Sequence, residues 1–175
     1  MKVKDKEFIS YLSEGEIQNK IKGLANQINK DYKETKPLFI AILNGSFMFA
    51  SDLLKEINLD CEISFMKLSS YEEMNSTGTV RELIGLTENV FKRNVIIIED
   101  IVDTGNTMKN VLEQFKDRGV KSVEVVSLLI KPEAVVNDIE IKYIGFEIPN
   151  KFVVGYGLDY DGFGRNTKAI YQLKS

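Results

Sequence analysis

The feature that most restricts this chain is an unbroken β-branched run, Val95-Ile96-Ile97-Ile98, that ends on two adjacent carboxylates, Glu99 and Asp100. An apolar run without polar alternation suits a strand buried on both faces of a parallel sheet. The chain then reaches a third acid, Asp103, and a small-residue loop, Thr104-Gly105-Asn106-Thr107. Beyond it Met108, Val111, Leu112 and Phe115 fall at i, i+3, i+4 and i+7, one face of a helix. A buried strand thus delivers three acids and a loop to a helix N-terminus, the place where open α/β sheets bind ligands.

The loop has the chemistry of anion capture. The first N–H groups of a helix have no intrahelical partner, and the macrodipole is positive there. Thr104, Asn106 and Thr107 add side-chain donors, and Gly105 permits a positive φ and close backbone approach. Carboxylates beside a phosphate cradle repel the phosphate unless they face sugar hydroxyls or a bound Mg²⁺. Together they read as a site for a phosphorylated sugar. A helix merely capped by Thr or Asn accounts for the same residues without any ligand.

With 175 residues, the chain is expected to form one domain with a sizeable core. A net charge of −3 offers no general attraction for nucleic acid or an anionic membrane, so neither is expected as a partner. The absence of histidine excludes a His-based triad, a His metal site and an imidazole base, leaving proton transfer to carboxylates, lysine or tyrosine. One cysteine, Cys61, allows no internal disulfide and suits a reducing cytoplasm. It opens an apolar alternation, so a buried structural thiol is expected. No apolar h-region follows Met1–Lys6 and no run reaches transmembrane length, so neither signal peptide nor membrane span is expected.

Along the chain, Ile17, Ile21, Leu24, Ala25 and Ile28 mark an amphipathic helix over about residues 14–33, closed by Lys36-Pro37. Residues 38–43 read as a buried strand, turning through Asn44-Gly45-Ser46 into a helix with Phe49, Leu53, Leu54 and Ile57 inward. Residues 61–68 alternate and predict a strand. The polar connection over about residues 69–87 is long enough to be functional or to form a hairpin. Gly119 ends the central helix, and residues 122–130 complete a βαβ unit. Lys131 leaves that strand's carboxyl end, either as a solvated turn lysine or pointing into the cleft of Asp103. Short strand-like pieces over 141–149 and 152–156, glycines at 155, 157, 162 and 164, and a final edge strand at 169–173 close the chain.

Ile96-Ile97-Ile98-Glu99-Asp100-Ile101-Val102-Asp103-Thr104-Gly105-Asn106-Thr107-Met108 resembles the phosphoribosyl pyrophosphate (PRPP) signature of the type I phosphoribosyltransferases, in particular of their hypoxanthine-guanine branch. Residues 145–160 resemble that family's purine-binding hood, and the likeness spans roughly 38–173. It implies an α/β fold: an open, mostly parallel sheet flanked by helices, with a small hood (about 143–173 plus the N-terminal segment) and a mobile lid over about 69–87. Ser70 and Tyr71 match the lid's Ser-Tyr pair. By resemblance Asp103 to Thr107 hold the 5′-phosphate, and Glu99 and Asp100 hold ribose hydroxyls or their Mg²⁺. Asn44, Gly45 and Arg165 face pyrophosphate, with a cis peptide between Leu43 and Asn44. Many members carry a basic residue where Asn44 stands, so that charge is missing here. Lys131 reads the purine 6-oxo group, Phe152 stacks on the base, Val153 offers backbone groups to its edge, and Asp159 holds a second Mg²⁺ through water. Asp103 is the expected general base. The implied activity is transfer of the 5-phosphoribosyl group of PRPP to N9 of hypoxanthine or guanine by a Mg²⁺-dependent, cytoplasmic homodimer or homotetramer.

Two other readings compete. A PRPP-sensing regulator of the same fold that binds nucleic acid would need a basic face. An aspartic-protease triplet at Asp103-Thr104-Gly105 would need a second carboxyl sharing a proton with the first.

Overall fold

In the computed structural model, which describes residues 1–70, 80–86 and 88–174, the β-branched run lies within β6 (Asn94–Val102), inside a six-stranded sheet. The other strands are β3 (Leu38–Leu43), β4 (Glu62–Ser70), β5 (Val80–Ile84), β7 (Ser122–Ile130) and β8 (Tyr143–Glu147), in the order β5-β4-β3-β6-β7-β8. All neighbours are parallel except β5, which runs antiparallel to β4. Val95 to Ile98 have no exposed surface because helices cover both faces of β6. Ile96 and Ile98 pack with Phe39, Ala41 and residues of α1 (Glu14–Asp31) and α2 (Phe47–Lys55). Val95 and Ile97 face Leu38, Ile40 and α3 (Asn106–Asp117) on the other side. Burial of each such side chain contributes about 2 kcal/mol, so this strand commits the layer arrangement.

The sheet order puts a topological switch between β3 and β6. From β3 the chain moves outward to β4 on one side; from β6 it moves outward to β7 and β8 on the other. The turns leaving β3 and β6 therefore part at the crevice where α/β sheets take ligands. A second, four-stranded sheet has the order β1-β2-β10-β9, from β1 (Lys2–Val3), β2 (Lys6–Leu12), β10 (Ile170–Leu173) and β9 (Val153–Val154). It forms the hood.

Several expectations need correction. Cys61 is exposed, not buried. Its alternation partners Ile63 and Phe65 are exposed as well, at 40% and 44%, while Ser64 and Met66 turn inward. The α2 helix packs over β3 and β6, so the helical layer stops short of the β4 residues on that face. The final strand β10 is not an edge but lies between β2 and β9. α1 stops at Asp31, with Tyr32 as its C-cap, before the Lys36-Pro37 turn, and begins with a reciprocal Ser13–Glu16 capping box. Gly119 takes φ +69° just after the C-cap of α3, as a helix-ending glycine should. Among the described residues no helix is long and apolar enough to cross a membrane.

Candidate active site

The tip of β6 presents its acids differently. Glu99 is buried, and its Oε1 accepts the Asp100 N–H at 3.2 Å. Burial, reinforced by the neighbouring Asp100 charge, pushes the Glu99 carboxyl well above the ordinary glutamate range. Asp100 is partly exposed and lies against the turn after β3. A Cβ added to Gly45 would stand 1.6 Å from Asp100 Oδ2, so any larger residue would push the Asp100 carboxylate aside. On its other side the Gly45 carbonyl oxygen abuts the hood, where a Cβ on Gly157 would stand 1.9 Å from it. The acids, the turn of Asn44 to Ser46 and the hood thus meet around one glycine. The Leu43–Asn44 peptide is cis, as the resemblance implies. Ser46 is buried and its Oγ donates to the Ile42 carbonyl at 2.6 Å.

Beyond the acids, Gly105 is the N-cap of α3, with φ +81° and no side-chain cap bond. Neither Thr104 nor Asn106 is the N-cap residue. Thr104 Oγ1 accepts the Asn106 N–H at a long 3.4 Å, and Asn106 Oδ1 accepts from Asn137 Nδ2 at 2.6 Å. The Asn106 side chain is therefore engaged with the segment after β7, which also braces Thr104 through the Val136 N–H. Glu99, Asp103, Thr104, Gly105 and Thr107 line a cavity of about 110 Å³ at this helix start. A larger groove of about 480 Å³ between α1 and β8 gathers none of these groups.

Lys131, just past β7, is only 7% exposed, and its Nζ donates to Asp103 Oδ2 at 2.7 Å. The ammonium is inside the protein; the Asp103 side chain is about half exposed, at 49%. A donor and an acceptor thus stand side by side at the mouth of the cleft. In the hood, Arg165 Nη1 donates to the Gly157 carbonyl at 2.7 Å and Nη2 pairs with Asp159 Oδ1 at 2.7 Å. Asp159 Oδ2 accepts the Gly162 N–H. Phe152 keeps 42% of its surface exposed, packed edge-on to Tyr160 with centroids 5.9 Å apart and lying 6.2 Å from Phe8. Lys6 Nζ sits 4.5 Å from the Tyr160 ring centroid. Val153 is buried on β9, an edge strand whose outer backbone edge lies outside the ladder. Ser70 ends β4 opposite Val80, whereas Tyr71 and most of the expected lid fall outside the described residues.

A profile of the phosphoribosyl transferase domain matches residues 10–161. The chain is 46% identical over 164 residues to the hypoxanthine-guanine phosphoribosyltransferase of Staphylococcus aureus, covering 93% of this chain and 92% of that one. The chain belongs to the phosphoribosyltransferase family, on its hypoxanthine-guanine branch. The crystal structure of a hypoxanthine phosphoribosyltransferase from Staphylococcus aureus superposes with a TM-score of 0.91 at 44% identity, covering 98% of this chain and 93% of that chain. The Trypanosoma cruzi hypoxanthine phosphoribosyltransferase, solved with its product IMP, superposes at 0.90 and 34% identity over 99% and 97% of the two chains.

Within this phosphoribosyltransferase site the backing of Phe152 by Phe8, Tyr160 and Lys6 is absent from the sequence reading. Only the pairing of β2 with β10 brings Phe8 to the hood, and a faint alternation over residues 6–12 is its one trace in the sequence. The burial of Glu99 carries a testable consequence. Its folded pKa lies above its unfolded value, so between the two the folded state holds the extra proton and stability falls as pH rises. Glu99→Gln removes that penalty. Without added divalent metal, its thermal midpoint should exceed wild type by about 2–5 °C near pH 8. The gap should close as pH falls toward about 4.3, where the unfolded glutamate also takes a proton. A gap independent of pH would contradict the upward shift of the buried Glu99 carboxyl.

Proposed function

We propose that this protein transfers the 5-phosphoribosyl group of PRPP to N9 of hypoxanthine or guanine, releasing pyrophosphate and forming IMP or GMP. The observation that carries the reading is the Lys131–Asp103 pair at 2.7 Å beside the uncapped start of α3. A 6-oxopurine protonated at N7 offers an acceptor, O6, next to a donor, N7–H. The ammonium and the carboxylate match that edge in order. Adenine would turn an amino donor toward the ammonium. Phe152, steadied by Phe8 and Tyr160, stacks on the base. The free edge of β9 at Val153 offers backbone groups to its rim.

The amides and hydroxyls of residues 104–107 hold the 5′-phosphate, helped by the positive end of α3. This fixes the sugar for in-line displacement. N9 attacks C1′ while the C1′–oxygen bond to pyrophosphate breaks, and C1′ carries cationic character between the two. Asp103 accepts the N7 proton that the new bond acidifies. Gly45 and Arg165 face the departing pyrophosphate, with Asn44 supplying a neutral side chain.

Mg²⁺ fits the donor set. Among the described residues no three or more acids cluster. Mg²⁺ characteristically takes only one or two carboxylates and completes its shell with water and substrate oxygens. Asp100, with buried Glu99 behind it, would hold one ion with the ribose hydroxyls, and Asp159 a second through water. Held by Asp100 and Asp159, Mg²⁺ would supply positive charge to offset that of the leaving pyrophosphate. We further propose one phosphoribosyltransferase domain over residues 1–175, a lid over about 69–87 that includes Ser70 and Tyr71, and a cytoplasmic homodimer or homotetramer free of nucleic acid and membrane. The protease alternative fares poorly: the partner of Asp103 is an ammonium, and its triplet leads into an amphipathic helix.

The direct test mixes protein, PRPP and Mg²⁺ with hypoxanthine, guanine, xanthine or adenine in turn and follows nucleotide formation. Turnover with hypoxanthine or guanine, abolished by a chelator, is expected. Failure to form a nucleotide from either 6-oxopurine would reject the reading.

A further inference from the structure

The turn between β9 and the rest of the hood holds three consecutive residues at positive φ: Gly155 at +99°, Tyr156 at +50° and Gly157 at +101°. Tyr156 is a rare occupant of that region, where a side chain is disfavoured. Its ring is 1% exposed, sunk into the core shared with α1 and α2. Its hydroxyl donates to Asp52 Oδ2 at 2.7 Å. Asp52 lies on α2, the helix that starts immediately after the Asn44-Gly45-Ser46 turn. The same oxygen accepts Gln18 Nε2 from α1 at 2.7 Å, and Lys55 Nζ holds the other oxygen at 2.9 Å. Asp52 is therefore a fixed post, braced from two helices.

The backbone on either side of that ring carries the consequence. Gly157 rests against the Gly45 carbonyl oxygen, and Arg165 takes its position from the Gly157 carbonyl. The Gly157 N–H returns the bond to the Arg165 carbonyl at 2.9 Å. Any rotation of the turn about the buried ring shifts Arg165 and the wall of Gly45 together. Burial pushes the Tyr156 phenol well above its ordinary range, with the Asp52 bond adding to it, so the O–H stays a donor.

We propose that Tyr156, anchored on Asp52, is a positioning residue for the pyrophosphate half of the site: it sets the distance between Gly45 and Arg165 and thereby the fit of the diphosphate group of PRPP. The proposal rests on the functional reading above. It predicts a much larger effect on PRPP than on the purine: Lys131 and Asp103, which read the purine edge, lie on other segments, and the β9 residues after Phe152 are held by their pairing with β10.

A matched control exists in the same chain. Tyr143, 2% exposed at the start of β8, donates its hydroxyl to Asp31 Oδ2 at 2.7 Å, the same bond made at the end of the sheet away from the strand tips. Tyr156→Phe and Tyr143→Phe should lower the thermal midpoint by similar amounts. Only Tyr156→Phe should raise KM for PRPP, and for pyrophosphate in the reverse reaction with IMP, by about tenfold, with KM for hypoxanthine changed less than about twofold. Gln18→Ala, which removes one brace of Asp52 from a partly exposed position, should give the same split at about two- to threefold and serves if Tyr156→Phe does not fold. Equal KM changes in the two tyrosine variants, or equal changes for PRPP and purine, would overturn the proposal while leaving the reaction intact. A wild-type protein that forms no nucleotide would overturn the functional reading and the proposal with it.

Discussion

Asp103→Asn should lower kcat by about 10²- to 10⁴-fold while KM for PRPP changes by less than about threefold. Asparagine keeps the volume and can still accept a hydrogen bond from Lys131 Nζ, so the purine edge finds its donor in place. What it cannot do is take the N7 proton as N9 bonds to C1′. The stability cost should be modest, about 1 kcal/mol, because the ammonium that loses its charged partner is buried but still meets an oxygen. Steady-state kinetics with PRPP and hypoxanthine varied separately, beside a thermal melt, make the check. An unchanged kcat would remove Asp103 as the base.

Lys131→Ala should collapse discrimination rather than catalysis. A buried donor facing the adenine amino group leaves two donors opposed with no water to relieve them, a mispairing worth on the order of 10⁴-fold in kcat/KM. Removing the ammonium should reduce the hypoxanthine-to-adenine ratio toward that extent, chiefly by loss on the hypoxanthine side, with PRPP binding spared. The remaining Asp103 is about half exposed, so water can solvate its carboxylate and folding should be little affected. A variant whose ratio of kcat/KM values matches wild type would show that Lys131 does not read position 6.

These two variants probe contacts of different visibility in the sequence. The acids and loop of residues 99–107 are legible because strand, turn and helix follow one another without interruption, and each leaves its own periodicity. Gly105 illustrates both the strength and the limit of such reading. Its need for a positive φ is anticipated, whereas its place as the N-cap, leaving Thr104 and Asn106 to other partners, depends on Asn137 and Val136 arriving from beyond β7. Cys61 and Phe65 show the opposite failure. Their alternation correctly marks a strand, but an apolar face counts as buried only if a layer covers it, and α2 packs elsewhere. Phe8 leaves almost no trace, although it backs the exposed ring of Phe152 from a strand more than a hundred residues earlier.

By itself the sequence determined the local units: a strand buried on both faces, the acids at its end, a glycine-bearing loop and the amphipathic helix after it. These follow from side-chain periodicity and backbone sterics, which act over a few residues. The tertiary structure alone decided that Lys131 meets Asp103 across 28 positions, that Gly45 is gripped between Asp100 and Gly157, and that Tyr156 reaches Asp52. Such contacts depend on strand order, on register and on how far each helical layer extends. Those properties come from the summed packing of the whole chain, so no short segment encodes them.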